Sequence, residues 1–186
     1  MRVYVPLTLP ALAQAHRAGE LGPGPLTAYA VTPGLREWYV SDDIEELEYA
    51  ALTRAAHGSL RLLAADPGAV RKRVVVAVDI ADGAVHADPD RALDPDALGE
   101  VRLEAAVPLA KAAAVHVDAD DAAVDVAKAA AVHVDADDAA VDVAKAAEAL
   151  AAADGGDADA QFVVDGADDH ELLWFATQEI EHLIAG

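Results

Sequence analysis

The sequence predicts an α+β domain: a mixed or mostly antiparallel sheet of about five strands with helices packed on it, plus a long alanine-rich helix in the C-terminal half. Short stretches of alternating apolar and polar residues, which are typical of strands, recur through the chain. Between them lies one long stretch with the three- and four-residue apolar spacing of a helix. The strand and helix signals are intermixed, and the chain length suits a single domain over residues 1–186.

The chain opens as strand, helix, strand. Residues 2–9, RVYVPLTL, alternate in polarity and predict the first strand. Residues 9–21 predict a short helix, which the Gly-Pro cluster at 22–25 ends. Residues 26–32, LTAYAVT, predict the second strand.

A long helix follows an acidic start. Ser41 or Asp42 is placed to cap it, and Asp42 with Glu45 has the spacing of a capping box. Asp66 and the Pro-Gly pair after it end the helix. One buried stripe is predicted along the helix, formed by Ile44, Leu47, Ala51, Ala55 and Leu62.

Three further strands are predicted in the middle of the chain. Residues 73–80, RVVVAVDI, are the most hydrophobic short run and predict a central strand covered on both faces. Residues 81–99, rich in proline and acidic residues, predict a surface loop. Residues 100–109 predict the fourth strand, and residues 112–118, AAAVHVD, predict the fifth.

A perfect tandem repeat follows: residues 110–126, AKAAAVHVDADDAAVDV, recur unchanged as residues 127–143. A helix turns about 100° per residue and a strand alternates with a period of two, so a shift of seventeen residues puts the second copy out of phase in either structure. Two such units are also fewer and shorter than a solenoid needs. We therefore expect one copy to belong to the fold and the other to be a tolerated insertion.

Two placements of the copies are open. In the first, copy one supplies the fifth strand and a long helix runs over about residues 120–153, with a weak point at 132–138, whose residues are poor helix formers. In the second, copy two lies in the sheet and copy one is looped out between the fourth and fifth strands.

The end of the chain also has two interpretations. Residues 172–175 form a last strand before a short helix over 178–184, or one helix starts at His170.

The composition excludes several classes of function. Thirteen Lys and Arg stand against 34 Asp and Glu, a net charge of -21, which would repel nucleic acid and anionic membranes. A protein partner is compatible with this charge, and the sequence does not indicate an oligomeric state. Cysteine is absent, which excludes disulfides, and neither a signal peptide nor a membrane span is indicated. We expect a cytoplasmic protein.

Motifs for catalysis and cofactors are missing. The sequence has no Walker A loop, GxGxxG or GxSxG motif, so no cofactor is predicted. Residues 170–174, HELLW, lack the second histidine of HExxH, and no metal site is predicted. His116 with Asp118, and His133 with Asp135, share one side of a predicted strand and could orient a general base, although the polar face of an amphipathic strand has the same pattern.

Three aromatic residues are the candidate binding residues. Only 4% of the chain is aromatic, and Trp38, Tyr39 and Trp174 are candidates for an aromatic binding surface. Anchoring a core is the usual alternative role of such residues. No catalytic residue can be named.

Four blocks, MRVYVPLTLP, LTAYAVTPGLREWYVSDDIEELEYAAL, VPLAKAAAVHVD and HELLWFATQEI, resemble an uncharacterised family of actinobacterial proteins of unknown function. Its members look as though they contain the VHVDADDA segment once, and the resemblance implies no catalytic or binding residue.

The function is therefore unknown. Our first hypothesis is a small acidic interaction or regulatory domain without catalytic machinery; the alternatives are an enzyme with a carboxylate-histidine site and a small-ligand-binding module. A pocket holding His116 or His170 in contact with an acid would favour an enzyme, and a flat apolar patch would favour a partner surface.

Overall fold

The computed structural model describes residues 1–119 and 136–185, with only the backbone for 136–138. Its strands are β1 (Arg2–Leu7), β2 (Glu20–Leu21), β3 (Leu26–Ala30), β4 (Val74–Asp79), β5 (Glu100–Leu103), β6 (Val107–Pro108), β7 (Ala112–Val117) and β8 (Leu173–Phe175). Six of them form one sheet in the order β5-β3-β1-β4-β7-β8, in which every neighbouring pair is antiparallel. β2 and β6 pair separately.

The described helices lie between and after these strands. They are α1 (Leu9–Ala18), α2 (Pro33–Tyr39), α3 (Ile44–Ala65), α4 (Ala136–Asp154), α5 (Ala158–Asp168) and α6 (Ile180–Ala185). Among the described residues, no helix combines the length and the apolar character that crossing a bilayer requires. The predicted α+β class, the antiparallel sheet and an alanine-rich helix in the C-terminal half are confirmed.

Helices cover the two faces of the sheet. β4 alternates as its sequence predicts: Val76 faces α1 and α6, where it joins the cluster of Leu12 and Ile180, whereas Val75 faces α3 and joins the cluster of Leu47. α3 packs over β1, β3 and β4. A third cluster joins the second half of α3 to α4 and α5; its buried side chains include Leu60, Leu63, Val143, Leu150 and Val164.

Several boundaries differ from the sequence predictions. The main sheet has six strands, because Leu173–Phe175, within the predicted stretch 172–175, form the edge strand β8, and the alternative of one helix from His170 is wrong. Asp43, rather than Ser41 or Asp42, caps α3: its carboxylate accepts from two backbone N–H groups of the first turn. Ile44 and Leu62, the two ends of the predicted buried stripe, are exposed, whereas Leu47, Ala51 and Ala55 between them are buried.

Two helices have no counterpart in the sequence predictions. α2 is seven residues long, and Thr32 caps it by accepting from Leu35 N–H at 3.1 Å. α5 starts after Asp157, whose carboxylate accepts from the N–H groups of Asp159 and Ala160 at 3.0 Å. Both caps satisfy N–H groups that the first helical turn leaves free. α5 packs closely on α4 and so completes the C-terminal helical layer.

The structure uses both copies of the repeat. Copy one forms β7, which pairs with β4 from Val74↔Val117 to Val78↔Ala112, so the placement with copy one looped out of the sheet is wrong. α4 begins at Ala136 and therefore takes its first residues from the second half of copy two. The predicted start of the long helix near residue 120, and most of the weak point at 132–138, lie outside the described residues.

Candidate functional site

A cleft of about 240 Å³ lies at one edge of the sheet, on the face that α3 covers. α3 forms one wall of this space, and on the sheet side His116 of β7 and Trp174 of β8 stand directly opposite each other. We call this space the β7–β8 cleft. Its lining residues are Tyr49, Leu52, Thr53 and Ala56 of α3, His116 of β7, Arg73, and Asp168, His170, Glu171, Leu172 and Trp174 from the end of α5 to β8.

A buried ion pair holds the inner end of the cleft together. Arg73 precedes β4 and Asp118 follows β7, and both side chains are 1% exposed. The Arg73 guanidinium donates to Asp118 at 2.8 Å from Nη2 and at 3.1 Å from Nε, and the Arg73 backbone N–H donates to the same carboxylate at 2.6 Å. Nη2 also donates to the carbonyl of His170 at 2.7 Å. These contacts fix the chain that leads into β8 against the strands of the sheet.

Asp168 stands where the cleft meets a second cavity. Its carboxylate accepts from Arg73 Nη1 at 3.3 Å and remains about one-third exposed. Burial raises the pKa of Asp168 above that of an ordinary aspartate, and the positive charge of Arg73 opposes this shift. The second cavity, of about 350 Å³, lies between α3 and the α4–α5 pair and is also lined by Thr53 and Asp168. The two cavities are therefore neighbours.

His116 is a half-buried imidazole at the floor of the cleft. Burial lowers its pKa to about 4, so the ring is neutral at neutral pH. The predicted partner Asp118 is committed to Arg73, and the His116 ring makes no hydrogen bond to any residue in the described part of the chain. A neutral ring nitrogen facing the cleft can donate to or accept from a ligand.

His170 has the carboxylate contact that the sequence assigned to His116. Its Nε2 lies 3.1 Å from Oδ2 of Asp142 on α4, and the ring is only partly exposed. Hydrogen bonds from His170 and from Lys145 lower the pKa of Asp142. A carboxylate at one ring nitrogen orients an imidazole and favours a defined tautomer. This pair joins residues 28 positions apart, and no short sequence motif could have indicated it.

The three predicted aromatic residues lie in different surroundings. Trp174 is 61% exposed and lines the β7–β8 cleft, where Tyr49 of α3, which the sequence analysis did not select, is 57% exposed. Tyr39 lines the second cavity. Trp38 is also exposed but lines neither cavity. Trp174 and Tyr39 thus border neighbouring spaces, whereas Trp38 belongs to the surface of α2.

A larger cavity, of about 550 Å³, lies on the same face at the opposite edge of the sheet. It is bounded by α2, the loop before β5, and side chains that include Arg91 and Arg102. Arg91 pairs with Asp94 at 3.0 Å and Glu100 at 3.7 Å, so its charge is balanced within the loop region. The side chains of these pairs are partly exposed, in contrast to the buried ion pair of the β7–β8 cleft.

The HExxH-like segment does not form a helix. Residues after His170 extend into β8, so the helical spacing that would bring His170 and residue 174 to one face does not arise. Within residues 1–119 and 136–185, no three His, Asp or Glu side chains gather in a way that could hold a metal ion.

Comparison with known proteins gives a family but no activity. No curated protein and no solved structure matches the chain. A family model described as a family of unknown function, DUF6912, matches residues 1–132 and residues 121–184, and the two matched stretches overlap within the repeat. Together they span nearly the whole sequence, and the chain belongs to this family of unknown function.

Proposed function

We propose that this domain binds a small molecule in the β7–β8 cleft and acts as a ligand-binding, regulatory module. The supporting observation is the gathering of His116, Asp168, His170 and Trp174 around one concave space at the β7–β8 edge of the sheet. A concave space with apolar walls and a few polar groups is the usual form of a ligand site. Its volume of about 240 Å³ lies below the roughly 300–1,000 Å³ of sites for drug-sized ligands, so the ligand is small.

The surroundings of the cleft suit binding. Arg73 and Asp118 form a buried, fully hydrogen-bonded pair, which fixes the position of the backbone at His170 before a ligand arrives. Rigid support of this kind lowers the entropy cost of binding. The net charge of -21 and the lack of cysteine support a cytoplasmic module that uses neither nucleic acid nor an anionic membrane as a partner.

An enzyme with a carboxylate-histidine site is the second candidate, and the contact between His170 and Asp142 favours it. An imidazole oriented by a carboxylate can act as a general base. We place binding first because the other imidazole of the cleft, His116, has its pKa lowered to about 4 and is a weak base. In addition, the Thr53 hydroxyl, a possible nucleophile of the cleft, donates to the Tyr49 carbonyl at 3.1 Å.

The test is a fragment screen observed by ¹⁵N–¹H NMR, with a library balanced between cationic, neutral and anionic compounds. We expect the compounds that bind to shift amides of residues 49–56, 116 and 168–174 in a saturable manner. Trp174→Ala should weaken this binding, whereas Trp38→Ala, which alters an exposed tryptophan outside the cleft, should not. Shifts that gather around Trp38 would point to a partner surface instead, and a silent cleft would refute the proposal.

The same spectra separate the second candidate from the first. An enzyme would convert a bound compound over hours, and His170→Gln would stop the conversion while leaving the fold intact. If compounds bind but none of them is converted, the enzyme candidate is rejected and the ligand-binding proposal stands.

A further inference from the structure

The charges around the β7–β8 cleft select among possible ligands, and the inference drawn from them rests on the proposed function. Arg73 is the arginine that lines the cleft, and its side chain is 1% exposed. Each of its three guanidinium nitrogens already donates to a protein oxygen: Nε and Nη2 to Asp118, Nη1 to Asp168, and Nη2 also to the His170 carbonyl. An anionic ligand would find this positive charge already neutralised by two carboxylates.

The negative groups of the cleft are more accessible. Asp168 keeps about one-third of its side chain exposed, and Glu171 is exposed at the mouth. Asp142, behind His170, is paired with Lys145 at 3.1 Å and is therefore not counted among these accessible charges. The whole chain has a net charge of -21, so the long-range field also raises the local concentration of cations.

Two aromatic side chains border the cleft beside these carboxylates. Tyr49 and Trp174 are each more than half exposed, although their rings would be expected to pack if they served only the core. A cation is attracted to the face of such rings, and most strongly to tryptophan. Neutral His116 on the floor can accept a hydrogen bond from an N–H donor of the ligand. Carboxylates, aromatic faces and a neutral imidazole together form the groups that recognise an organic cation.

We infer that the ligand of the β7–β8 cleft is a small organic cation of the amine, amidine or guanidine type. Its positive group lies towards Asp168 and Glu171, and its apolar part packs between Tyr49 and Trp174. The cleft is too small for a peptide or a nucleotide. Ligand charge, rather than shape alone, therefore decides which compounds bind.

Three probes of nearly the same size and shape test this: benzamidine, benzamide and benzoate, which are cationic, neutral and anionic at pH 7. Each is titrated into ¹⁵N-labelled protein. We expect benzamidine to shift amides of residues 49–56, 116 and 168–174, with an affinity roughly tenfold above that of benzamide, as the gain of a charge-assisted hydrogen bond predicts. Benzoate should leave these amides unshifted.

Variants assign the charge effect to the cleft. Glu171→Gln and Asp168→Asn should each reduce the affinity for benzamidine several-fold, whereas Asp169→Asn, which removes a neighbouring carboxylate that does not line the cleft, should not. Glu171→Gln is the safer variant because Glu171 is exposed, while Asp168 also pairs with Arg73. Thermal unfolding of each variant confirms that it is folded.

The outcomes separate the two proposals. Equal binding of benzamide or benzoate at the same amides would overturn the cationic ligand class and leave the ligand-binding function standing. Benzamidine shifts scattered over the acidic surface, unaffected by Glu171→Gln, would also overturn the cationic class. If neither these probes nor the fragment library shifts the cleft amides, both proposals fail.

Discussion

Deleting residues 127–143 tests whether the domain folds with a single copy of the repeat. The deletion joins copy one directly to the alanine-rich part of α4, so that Asp125 and Val126 take the places of Asp142 and Val143. The replacing residues are identical to those removed, and α4 therefore keeps its buried valine, which is fully buried in the third core cluster. Residues 119–124 must then lead from β7 to this point, so the first six residues of α4, which include the buried Ala139, are the described part of the fold that the deletion gives up.

The shortened chain can span the gap between β7 and α4. Arg73 joins Asp118 to the carbonyl of His170 through hydrogen bonds of 2.8 and 2.7 Å, and the His170 ring lies 3.1 Å from Asp142. These contacts place Asp118 within roughly 20 Å of Asp142, counting the side chains between them. Seven residues reach roughly 23 Å when extended, which is enough to lead from Asp118 to the replacing aspartate.

The deletion should leave the stability of the domain nearly unchanged. The connection between Asp118 and α4 shortens from 17 residues, 119–135, to 6, and the cost of closing a loop grows with the logarithm of its length. This saving is worth about 1 kcal/mol and is offset by the lost burial of Ala139, so we expect the Tm to stay within about 2–4 °C of that of the parent chain. Thermal and urea unfolding followed by circular dichroism measure both quantities.

A control variant separates the length of the segment from its sequence. If only the length of the connection matters, replacing residues 120–135 with a Gly/Ser segment of equal length should leave the free energy of unfolding within about 0.5 kcal/mol of that of the parent chain. A Tm more than about 4 °C below that of the parent chain, or loss of the single cooperative transition, would show that both copies are needed and would refute the reasoning.

Three further predictions concern stability. The Ser59 hydroxyl donates to the Leu7 carbonyl at 2.6 Å and accepts from Val74 N–H at 2.9 Å, so Ser59→Ala should cost about 2 kcal/mol in urea unfolding; a change below 0.5 kcal/mol would contradict this. Val40 is 90% exposed and has a φ of 50°, which is unfavourable for a β-branched residue. Val40→Gly should therefore raise the free energy of unfolding by about 1 kcal/mol, and a decrease would count against a strained backbone at this position. The pKa of His116, lowered to about 4 in the fold, means that the unfolded chain binds more protons between pH 4 and 6.5; stability should fall by up to about 3 kcal/mol as the pH drops through this window. His116→Gln should remove this loss of stability at low pH. If the stabilities of the variant and the parent chain change in parallel with pH, His116 is not its cause.

Local patterns in the sequence predicted most of the sheet. The alternation that gave β4 its two covered faces is visible in the sequence, and Val75 and Val76 do face opposite layers. The missed helices had capping signals that could have been used: Thr32 before a proline begins α2, and Asp157 begins α5. Aromatic residues in α2 and the Gly-Gly pair before α5 obscured these signals, because they favour strand and turn.

The cleft could not be predicted in the same way, because its contacts depend on strand register. Arg73 and Asp118 are 45 positions apart and meet only because β4 and β7 pair with Val74 opposite Val117. The local pattern predicted Asp118 as the carboxylate partner of His116, but it could not show that Arg73 engages that carboxylate. Long-range contacts of this kind leave no spacing rule along the sequence.

The repeat itself contributes to the cleft from both copies, since copy one supplies His116 and copy two supplies Asp142. Each copy contains both residue types, so a chain with one copy still has the histidine of the floor and the aspartate that contacts His170. The duplication therefore adds length without adding chemistry to the site. The deletion variant should bind benzamidine as the full chain does, within about twofold. A folded deletion variant that fails to bind would show that the segment between Asp118 and α4 takes part in binding.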